Sequence, residues 1–177
     1  SDIKTPHNIL CRVNFFRTET FMRILVVSDT HGDLRNLLSA VKAQPNAEVI
    51  IHCGDGDEQV QYLKNTIKDK MIVGVRGNCD FGSTLPSKET LRVCGKTIFV
   101  THGHLYQAKF TTYNLVCAAR EEKADILLFG HTHNAMNEYD DGLYIMNPGA
   151  CSGYRASYGY IDITEKGDIV TNIVTLK

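Results

Sequence analysis

Short apolar runs alternate along the first half of the chain with stripes of apolar residues at helical spacing. Three runs predict buried strands, and they cover residues 24–27, 49–51 and 71–75. Two stripes at helical spacing predict helices between these strands, and Pro45 ends the first one. The stripes consist of Leu34, Leu37, Leu38 and Val41, then Val60, Leu63 and Ile67. This alternation favours a parallel sheet with helices on its faces.

The second half of the chain carries mainly strand patterns. Residues 91–93 and 97–101 flank a short turn at 94–96 and predict a hairpin. A helix is expected over about residues 108–122 and a buried strand over 126–129. Three more strands are predicted at 143–146, 158–163 and 169–174. The fold class is therefore predicted to be α/β, with two sheets packed together and helices outside them.

The start of the chain lacks the patterning of the rest. A length of 177 residues suits one domain. Residues 1–21 show no clear periodicity, whereas Met22 is followed at once by an apolar run. We expect Met22 to be the native start, residues 1–21 to be an appended extension, and residues 22–177 to form the domain. The alternative is a genuine N-terminal arm, whose phenylalanines are apolar enough to dock.

Composition excludes several classes of function. The formal net charge is -1, and lysine and arginine are scattered, so a general nucleic-acid binder is not expected, although a small nucleotide could bind. No apolar stretch is long enough to cross a membrane. The six cysteines form no CxxC pair, and Cys53, Cys94 and Cys117 have apolar neighbours. We predict reduced thiols in a cytoplasmic protein.

Polar clusters directly follow five of the predicted strands. They lie at residues 28–31, 52–55, 77–80, 101–104 and 130–133. Ligands of α/β sheets bind beyond the carboxyl ends of the strands, so these clusters are expected to meet. Asp29 and His31 are two residues apart, as are His131 and His133. On an extended segment this spacing places both side chains on the same side.

The clusters contain imidazole, carboxylate and amide groups. The candidate metal ligands are Asp29, His31, Asp55, Asn78, His102, His131 and His133. This mixture suits Mn, Fe, Zn, Co or Ni better than Ca or Mg. Seven ligands are too many for one tetrahedral ion but suit two ions that share a carboxylate. Two ions about 3.5–4 Å apart can clamp a phosphoryl group for in-line displacement, so the pattern predicts a two-metal phosphoesterase.

Each of these residues also has an ordinary structural interpretation. Asp29 alone could cap a helix, Asn78 alone could occupy a turn, and a histidine after a strand is often only a polar loop residue. Asp57 and Glu58 suit the first turn of a helix better than a metal. His52 is expected in the core or beside the ligands. The metal hypothesis rests on convergence, because all five clusters carry the same kind of residue.

The ordered motifs resemble those of the calcineurin-like metallophosphoesterase superfamily. They are Asp29-x-His31, Gly54-Asp55, Gly77-Asn78, His102-Gly103 and Gly130-His131-x-His133. The short length and the segment Asn147-Pro148-Gly149-Ala150 resemble its small standalone phosphodiesterase branch. The resemblance implies a four-layer sandwich of two mixed sheets flanked by helices. It also implies two divalent ions, with Mn as the first choice and Fe, Zn, Ni or Co as alternatives.

The resemblance further implies how the ligands divide between the two ions. The first ion would take Asp29, His31, Asp55 and His133. The second would take Asp55, Asn78, His102 and His131. Asp55 would then bridge the pair, and a hydroxide between the ions would attack the phosphorus atom.

The sequence departs from many superfamily members after the motif asparagine. Cys79 stands where these members carry a histidine that helps to protonate the leaving group, and Asp80 follows. A thiol is a poor acid for this purpose, so phosphodiesters with good leaving groups are the expected substrates. Alternatively, Cys79 only packs and His104 donates the proton.

Several residues are expected to act on the substrate. The predicted catalytic residues are Asn78, Asp80 and His104, and the predicted substrate contacts are Asn78, Cys79, His104 and Arg155. Arg155 could hold a phosphate bidentately or could be a solvated loop arginine.

Other functions remain open at this point. The same centre could serve a phosphomonoesterase or a nucleotide pyrophosphatase, and the same fold could serve as a non-catalytic interaction scaffold. Intact ligand positions argue against the scaffold. A homodimer or higher homo-oligomer is a further expectation.

Overall fold

The computed structural model describes residues 7–9 and 21–177. Eleven strands lie within these ranges: β1 (His7–Ile9), β2 (Phe21–Val27), β3 (Ala47–His52), β4 (Met71–Gly74), β5 (Lys88–Val93), β6 (Lys96–Thr101), β7 (Ile126–Leu128), β8 (Met136–Asp140), β9 (Leu143–Asn147), β10 (Ser157–Thr164) and β11 (Ile169–Thr175). Three helices accompany them: α1 (Leu34–Ala43), α2 (Asp57–Thr66) and α3 (Tyr113–Glu121). The expectation of an appended extension falls mostly outside the described residues and stays a prediction.

The strands form two mixed sheets. The five-stranded sheet has the order β11-β10-β2-β3-β4, in which β2, β3 and β4 are parallel and β10 is antiparallel to both of its neighbours. The six-stranded sheet has the order β1-β5-β6-β7-β9-β8, with parallel pairs β1/β5, β6/β7 and β7/β9. In the five-stranded sheet, strands β2 to β4 match the predicted apolar runs. Three of the polar clusters lie beyond the carboxyl ends of these strands.

Three apolar clusters show how the layers pack. The largest lies between the sheets and joins residues such as Ile24 and Ile51 to Ile98 and Leu128. A second lies between the five-stranded sheet and the helices α1 and α2, which contribute Leu37 and Leu63. The third lies under α3. The layers are therefore helix, sheet, sheet and helix, which confirms the predicted four-layer α/β sandwich.

The α3 region differs from its prediction. The helix begins at Tyr113 rather than near residue 108, and a short 3-10 helix at His104–Tyr106 comes before it. Gln107 has a φ of 57°, which interrupts the helical backbone between the two. The strand β8 was not predicted, because four of its five residues are exposed at the sheet edge and form no apolar run.

The cysteine prediction is wrong at one position. Cys94 is disulfide-bonded, whereas Cys53, Cys79, Cys117 and Cys151 are free thiols. Sequence neighbours could not reveal this bond, because a cysteine in an apolar hairpin suits either state. Among the described residues, no helix combines the length and the apolar character that crossing a membrane requires.

Candidate metal centre

The predicted ligands meet where the two sheets present the ends of their strands. Loops after β2, β3 and β4 carry Asp29, Asp55 and Asn78, and loops after β6 and β7 carry His102 and His131. His31 and His133 follow in the loops after β2 and β7. Both sheets therefore contribute to one cluster of donor atoms, as ligand binding beyond the carboxyl ends of strands requires.

Asp29 lies at the buried base of the cluster. Its side chain is 0% exposed. Its Oδ2 accepts hydrogen bonds from the Ser28 hydroxyl at 2.6 Å and from the His131 backbone N–H at 3.0 Å. Its Oδ1 has no hydrogen-bond partner among the described residues. Imidazole nitrogens surround that oxygen instead, with Nε2 of His133 at 3.1 Å and Nε2 of His31 at 3.7 Å.

Asp55 stands between two of the histidines. Its Oδ2 lies 3.4 Å from Nε2 of His102 and 3.8 Å from Nε2 of His31. Its Oδ1 accepts a hydrogen bond from the Cys79 backbone N–H at 2.8 Å. Burial opposes the charge, but hydrogen bonds from His102 and Cys79 outweigh it and hold the pKa of Asp55 well below its usual range. The carboxylate is therefore charged and lies where two ions could share it.

His102 presents one ring nitrogen to the cluster and uses the other as an anchor. Its Nδ1 lies 2.7 Å from the Cys53 carbonyl oxygen, which can only accept, so Nδ1 carries a proton. The Nε2 atom faces Oδ1 of Asn78 at 3.1 Å and Oδ2 of Asp55 at 3.4 Å, and both oxygens accept, so Nε2 donates a proton there and would give that proton up to bind an ion. Such a carbonyl partner fixes the tautomer of a metal-ligating histidine.

His131 lies on the His102 side of the cluster. The two ring centroids are 5.0 Å apart. Burial, with nearby His102 and Lys109, lowers the pKa of His131 to about 4. The ring is therefore neutral near pH 7 and can serve as a ligand. His104 lies close by, with its ring centroid 5.4 Å from that of His102, and its Nδ1 is buried without a partner among the described residues.

The backbone of the ligand loops adopts an uncommon conformation. Nine non-glycine residues in the described ranges have positive φ, and five of them are predicted ligands. These five are Asp29, His31, Asp55, His131 and His133, with φ between 44° and 67°. The left-handed region costs side-chain-bearing residues about 1–3 kcal/mol, and such strain concentrates at functional sites. Strain on five ligands at once indicates that the surrounding fold holds the donor atoms in place.

Two glycines allow the loops to approach one another. A Cβ atom at Gly77 would overlap the carboxylate of Asp55. A Cβ atom at Gly130 would overlap the Ser28 hydroxyl and lie 2.7 Å from Oδ2 of Asp29. Glycine is required at both positions because no real Cβ tolerates these contacts.

Asp80 supports the Asp55 loop from behind. Its Oδ2 accepts hydrogen bonds from the backbone N–H groups of Asp55 at 2.9 Å and Gly77 at 2.7 Å, and its Oδ1 accepts one from Asp57 at 3.0 Å. Three amide donors occupy this carboxylate. They fix the turn that presents Asp55.

His52 orients the same turn from the core, as expected of a residue beside the ligands. Its Nδ1 accepts from the Gly54 backbone N–H at 3.2 Å, so Nε2 carries the proton and donates to the Thr30 hydroxyl at 3.0 Å. Thr30 in turn donates to Oε1 of Gln59 at 3.2 Å. Full burial lowers the pKa of His52 to about 4, so this chain of bonds contains a neutral ring.

Asn147, from the predicted Asn-Pro-Gly segment, holds the loop of His131. Its amide nitrogen donates to the Gly130 carbonyl at 2.8 Å and to the Thr132 hydroxyl at 3.0 Å. Arg155 lies further along this segment. Its side chain is exposed and makes no hydrogen bond or ion pair with the described residues, and the structure does not bring it into contact with the ligands.

The donor set fits divalent metal ions. Donors about 2.1 Å from one ion are about 3.0–3.4 Å apart at ordinary coordination angles, and the distances of 3.1–3.8 Å around Asp29 and Asp55 are close to this. The buried Oδ1 of Asp29 accepts no hydrogen bond from the described residues and faces three imidazole nitrogens, as a carboxylate that shares an ion with them would. Within residues 7–9 and 21–177, three groups of donors could hold an ion: Asp29, His31 and His133; Asp29, Asp55 and His102; and His31, Asp55 and Cys79.

Comparison with known protein families agrees with this chemistry. The family model of the calcineurin-like phosphoesterase superfamily domain matches residues 22–166. The chain belongs to the calcineurin-like phosphoesterase superfamily. The predicted superfamily and the prediction of a phosphoric ester hydrolase are therefore confirmed.

Individual relatives of the superfamily cover most of the chain. The probable metallophosphoesterase YsnB of Bacillus subtilis is 34% identical over 154 residues, which is 85% of this chain and 88% of that protein. The phosphodiesterase MJ0936 of Methanocaldococcus jannaschii is 30% identical over 164 residues, 82% of this chain and 95% of that protein. The structure of vacuolar protein sorting 29 from Cryptosporidium parvum shares the fold, with a TM-score of 0.69 at 18% identity over 88% of this chain and 99% of that one.

Some contributors to the centre were not predicted from the sequence. Ser28 donates to Asp29, Thr30 bonds to His52, and Gln59 accepts from Thr30, yet none of the three is a predicted metal ligand. The positions of Ser28 and Thr30 on either side of Asp29 were the available signal. Gln59 lies in the first turn of α2, and nothing in the sequence pattern indicates that it is buried.

Proposed function

We propose that this chain is a phosphodiesterase that works with two divalent metal ions, Mn first among them. The observation that carries the proposal is the buried Oδ1 of Asp29, which has no hydrogen-bond partner in the described part of the chain and faces imidazole nitrogens. A superfamily relative named as a phosphodiesterase supports the choice of substrate class.

The ligands would divide into two groups that share Asp55. His31 and His133 lie nearest Asp29, and this supports a first group of Asp29, His31, Asp55 and His133. The contacts of His102 with Asp55 and Asn78 support a second group of Asp55, Asn78, His102 and His131. When bound, two ions stabilise charge on the phosphoryl oxygens and lower the pKa of a coordinated water.

Protein groups beside the ligands would then bind the ester. Asn78 directs its oxygen to His102 and its amide nitrogen to the Cys79 sulfur at 3.3 Å. With the oxygen on the second ion, the amide nitrogen would be the group that donates to a phosphoryl oxygen. The exposed guanidinium of Arg155 has no partner among the described residues that would prevent it from reaching a phosphate.

Proton donation to the leaving group would be weak. Burial and nearby carboxylates raise the pKa of the Cys79 thiol, while burial and His102 lower that of His104. Neither group is therefore a strong acid that is also protonated at neutral pH. This supports esters with good leaving groups. We assign Asp80 a positioning role, because backbone amides occupy its carboxylate.

Compartment and assembly are also proposals. Four of the five described cysteines are free thiols, which supports residence in the reducing cytoplasm, although the disulfide at Cys94 counts against it. A net charge of -1 supports a small phosphate ester rather than general nucleic acid as the partner. A homodimer stays a prediction.

The test is hydrolysis of bis(p-nitrophenyl) phosphate with Mn and with chelator. We expect turnover that depends on Mn, is lost in Asp55→Asn, and exceeds turnover of p-nitrophenyl phosphate. Absence of turnover with every divalent ion would refute the proposal. Faster hydrolysis of the monoester would favour a phosphomonoesterase.

A second candidate is an interaction scaffold, favoured by the shared fold with vacuolar protein sorting 29. Metal content measured for wild type and Asp55→Asn separates the two. A scaffold would keep its cellular function in Asp55→Asn after the metal is lost, whereas a phosphodiesterase would not.

A further inference from the structure

A cleft of about 410 Å³ opens beside the metal centre. It shares His31, Asp55 and Cys79 with the centre, and its far side is lined by the first turn of α2 and by Phe81. Small-molecule sites usually have volumes of about 300–1,000 Å³. A phosphoester held at the metal centre would therefore extend one of its arms into this cleft.

The walls of the cleft carry acidic rather than basic groups. Asp57 and Glu58 lie on the first turn of α2, and no lysine or arginine lines the cleft among the described residues. A second phosphate placed there would meet like charge at short range. Carboxylates accept hydrogen bonds from hydroxyl and amino groups. The cleft is thus suited to an uncharged arm that carries such donors.

Phe81 provides an apolar surface at the edge of the cleft. The residue is 92% exposed, so its ring is open to a ligand that enters the cleft. Phe81 directly follows Asp80, whose carboxylate accepts hydrogen bonds from the backbone of Asp55 and Gly77. The backbone N–H of Phe81 donates to the Cys79 carbonyl at 3.1 Å. An aromatic ring on an anchored turn offers a stacking surface for a flat group.

We propose that this cleft binds the nucleoside arm of a nucleotide ester. The base stacks on Phe81, and hydroxyl groups donate to Asp57 and Glu58. This inference rests on the proposed phosphodiesterase function and deepens it. The substrates are then diesters of a nucleotide, and the arm in the cleft is an uncharged nucleoside rather than a polyphosphate.

The test compares two phosphates that differ only by the base. Calorimetric titration of the Mn-loaded protein gives the dissociation constants of adenosine 5′-monophosphate and ribose 5-phosphate. Base stacking on an aromatic ring predicts that wild type binds the nucleotide about 5- to 150-fold more tightly. Phe81→Ala should reduce this ratio to within about 2-fold. Phe110→Ala is the matched control, because Phe110 is 89% exposed and does not line the cleft.

Two outcomes would overturn the inference: equal affinity of wild type for both phosphates, or an unchanged preference in Phe81→Ala. Circular dichroism and metal content confirm that the variants are folded and loaded. Turnover of bis(p-nitrophenyl) phosphate is measured on the same samples. If wild type is active but does not prefer the nucleotide, only the proposed role of the cleft is contradicted. If wild type is inactive, the proposed phosphodiesterase function is contradicted.

Discussion

The buried carboxylate of Asp29 makes the stability of the fold depend on metal. Its Oδ2 is satisfied by Ser28 and His131, whereas its Oδ1 has no hydrogen-bond partner among the described residues. Without a cation, this fully buried charge is only partly compensated. Metal ions bind the folded centre and have no assembled site in the unfolded chain, so binding adds to the free energy of unfolding.

The size of the stabilisation by metal follows from the linkage between metal binding and folding. One site that binds only the folded state contributes about 2.7 kcal/mol when free Mn is 100 times its dissociation constant. A domain of this length shifts its melting temperature by about 2–4 °C per kcal/mol. Mn should therefore raise the melting temperature by about 5–11 °C per occupied site. Asp29→Asn keeps an oxygen that can accept from Ser28 and His131 but lacks the carboxylate charge. The rise in its melting temperature on addition of Mn should therefore be less than half that of wild type.

Differential scanning fluorimetry with chelator and with a series of Mn concentrations measures these shifts. In chelator, Asp29→Asn should melt at or above the wild-type temperature, because the partly compensated buried charge is gone. The reasoning is refuted if Mn leaves wild type unchanged, or if it stabilises Asp29→Asn as much as wild type.

Three further predictions test the elements around the ligands. Gly130→Ala should lose about 1–3 kcal/mol of stability and most Mn binding, since its Cβ overlaps Ser28. Gly82→Ala is the control: its Cβ meets no atom, but its φ of 73° strains alanine, so it should lose stability and keep Mn binding in titration. His52 has a folded pKa of about 4 against 6.5, so its contribution is present above pH 6.5 and is lost as the pH falls towards 4. Over that range, urea melts of metal-free protein should show about 3 kcal/mol less loss of stability in His52→Gln than in wild type, and the loss that remains in the variant comes from other groups such as His131. Asp80→Asn should lower kcat/KM about 10- to 100-fold and leave the dependence of kcat/KM on pH unchanged, because Asp80 only positions Asp55. A shift of the low-pH side of that profile would indicate that Asp80 transfers a proton instead.

The sequence predicted the centre because its chemistry lies at strand ends. The apolar runs of buried strands can be recognised from the order of residues alone. Polar clusters that follow parallel strands must meet beyond the carboxyl ends of those strands. Asp29 and Asp55 were therefore expected to lie close together although they belong to different loops. His102 and His131 were expected to lie with them, across the two sheets.

Other features depended on partners that are distant in sequence. Asp80 carries the same carboxylate as the ligands, but its hydrogen bonds go to backbone amides 23 and 25 residues earlier, and only the fold shows that they are near. Strand β8 exists because it pairs with β9, not because its own residues are apolar. The start of α3 at Tyr113 depends on the left-handed turn at Gln107, which has no local signature.

The origin of the ligands in both sheets gives bound ions a second physical role. His31 and His133 lie 102 positions apart in sequence, on loops of different sheets, and their Nε2 atoms are 3.2 Å apart. An ion held by both would join parts of the chain that lie about a hundred residues apart in sequence, and because it leaves when the chain unfolds, it stabilises only the folded state, through its binding free energy. Unlike a disulfide, this cross-link is reversible and follows metal supply. The concentration of free metal would therefore govern the stability of the folded chain as well as its catalytic activity.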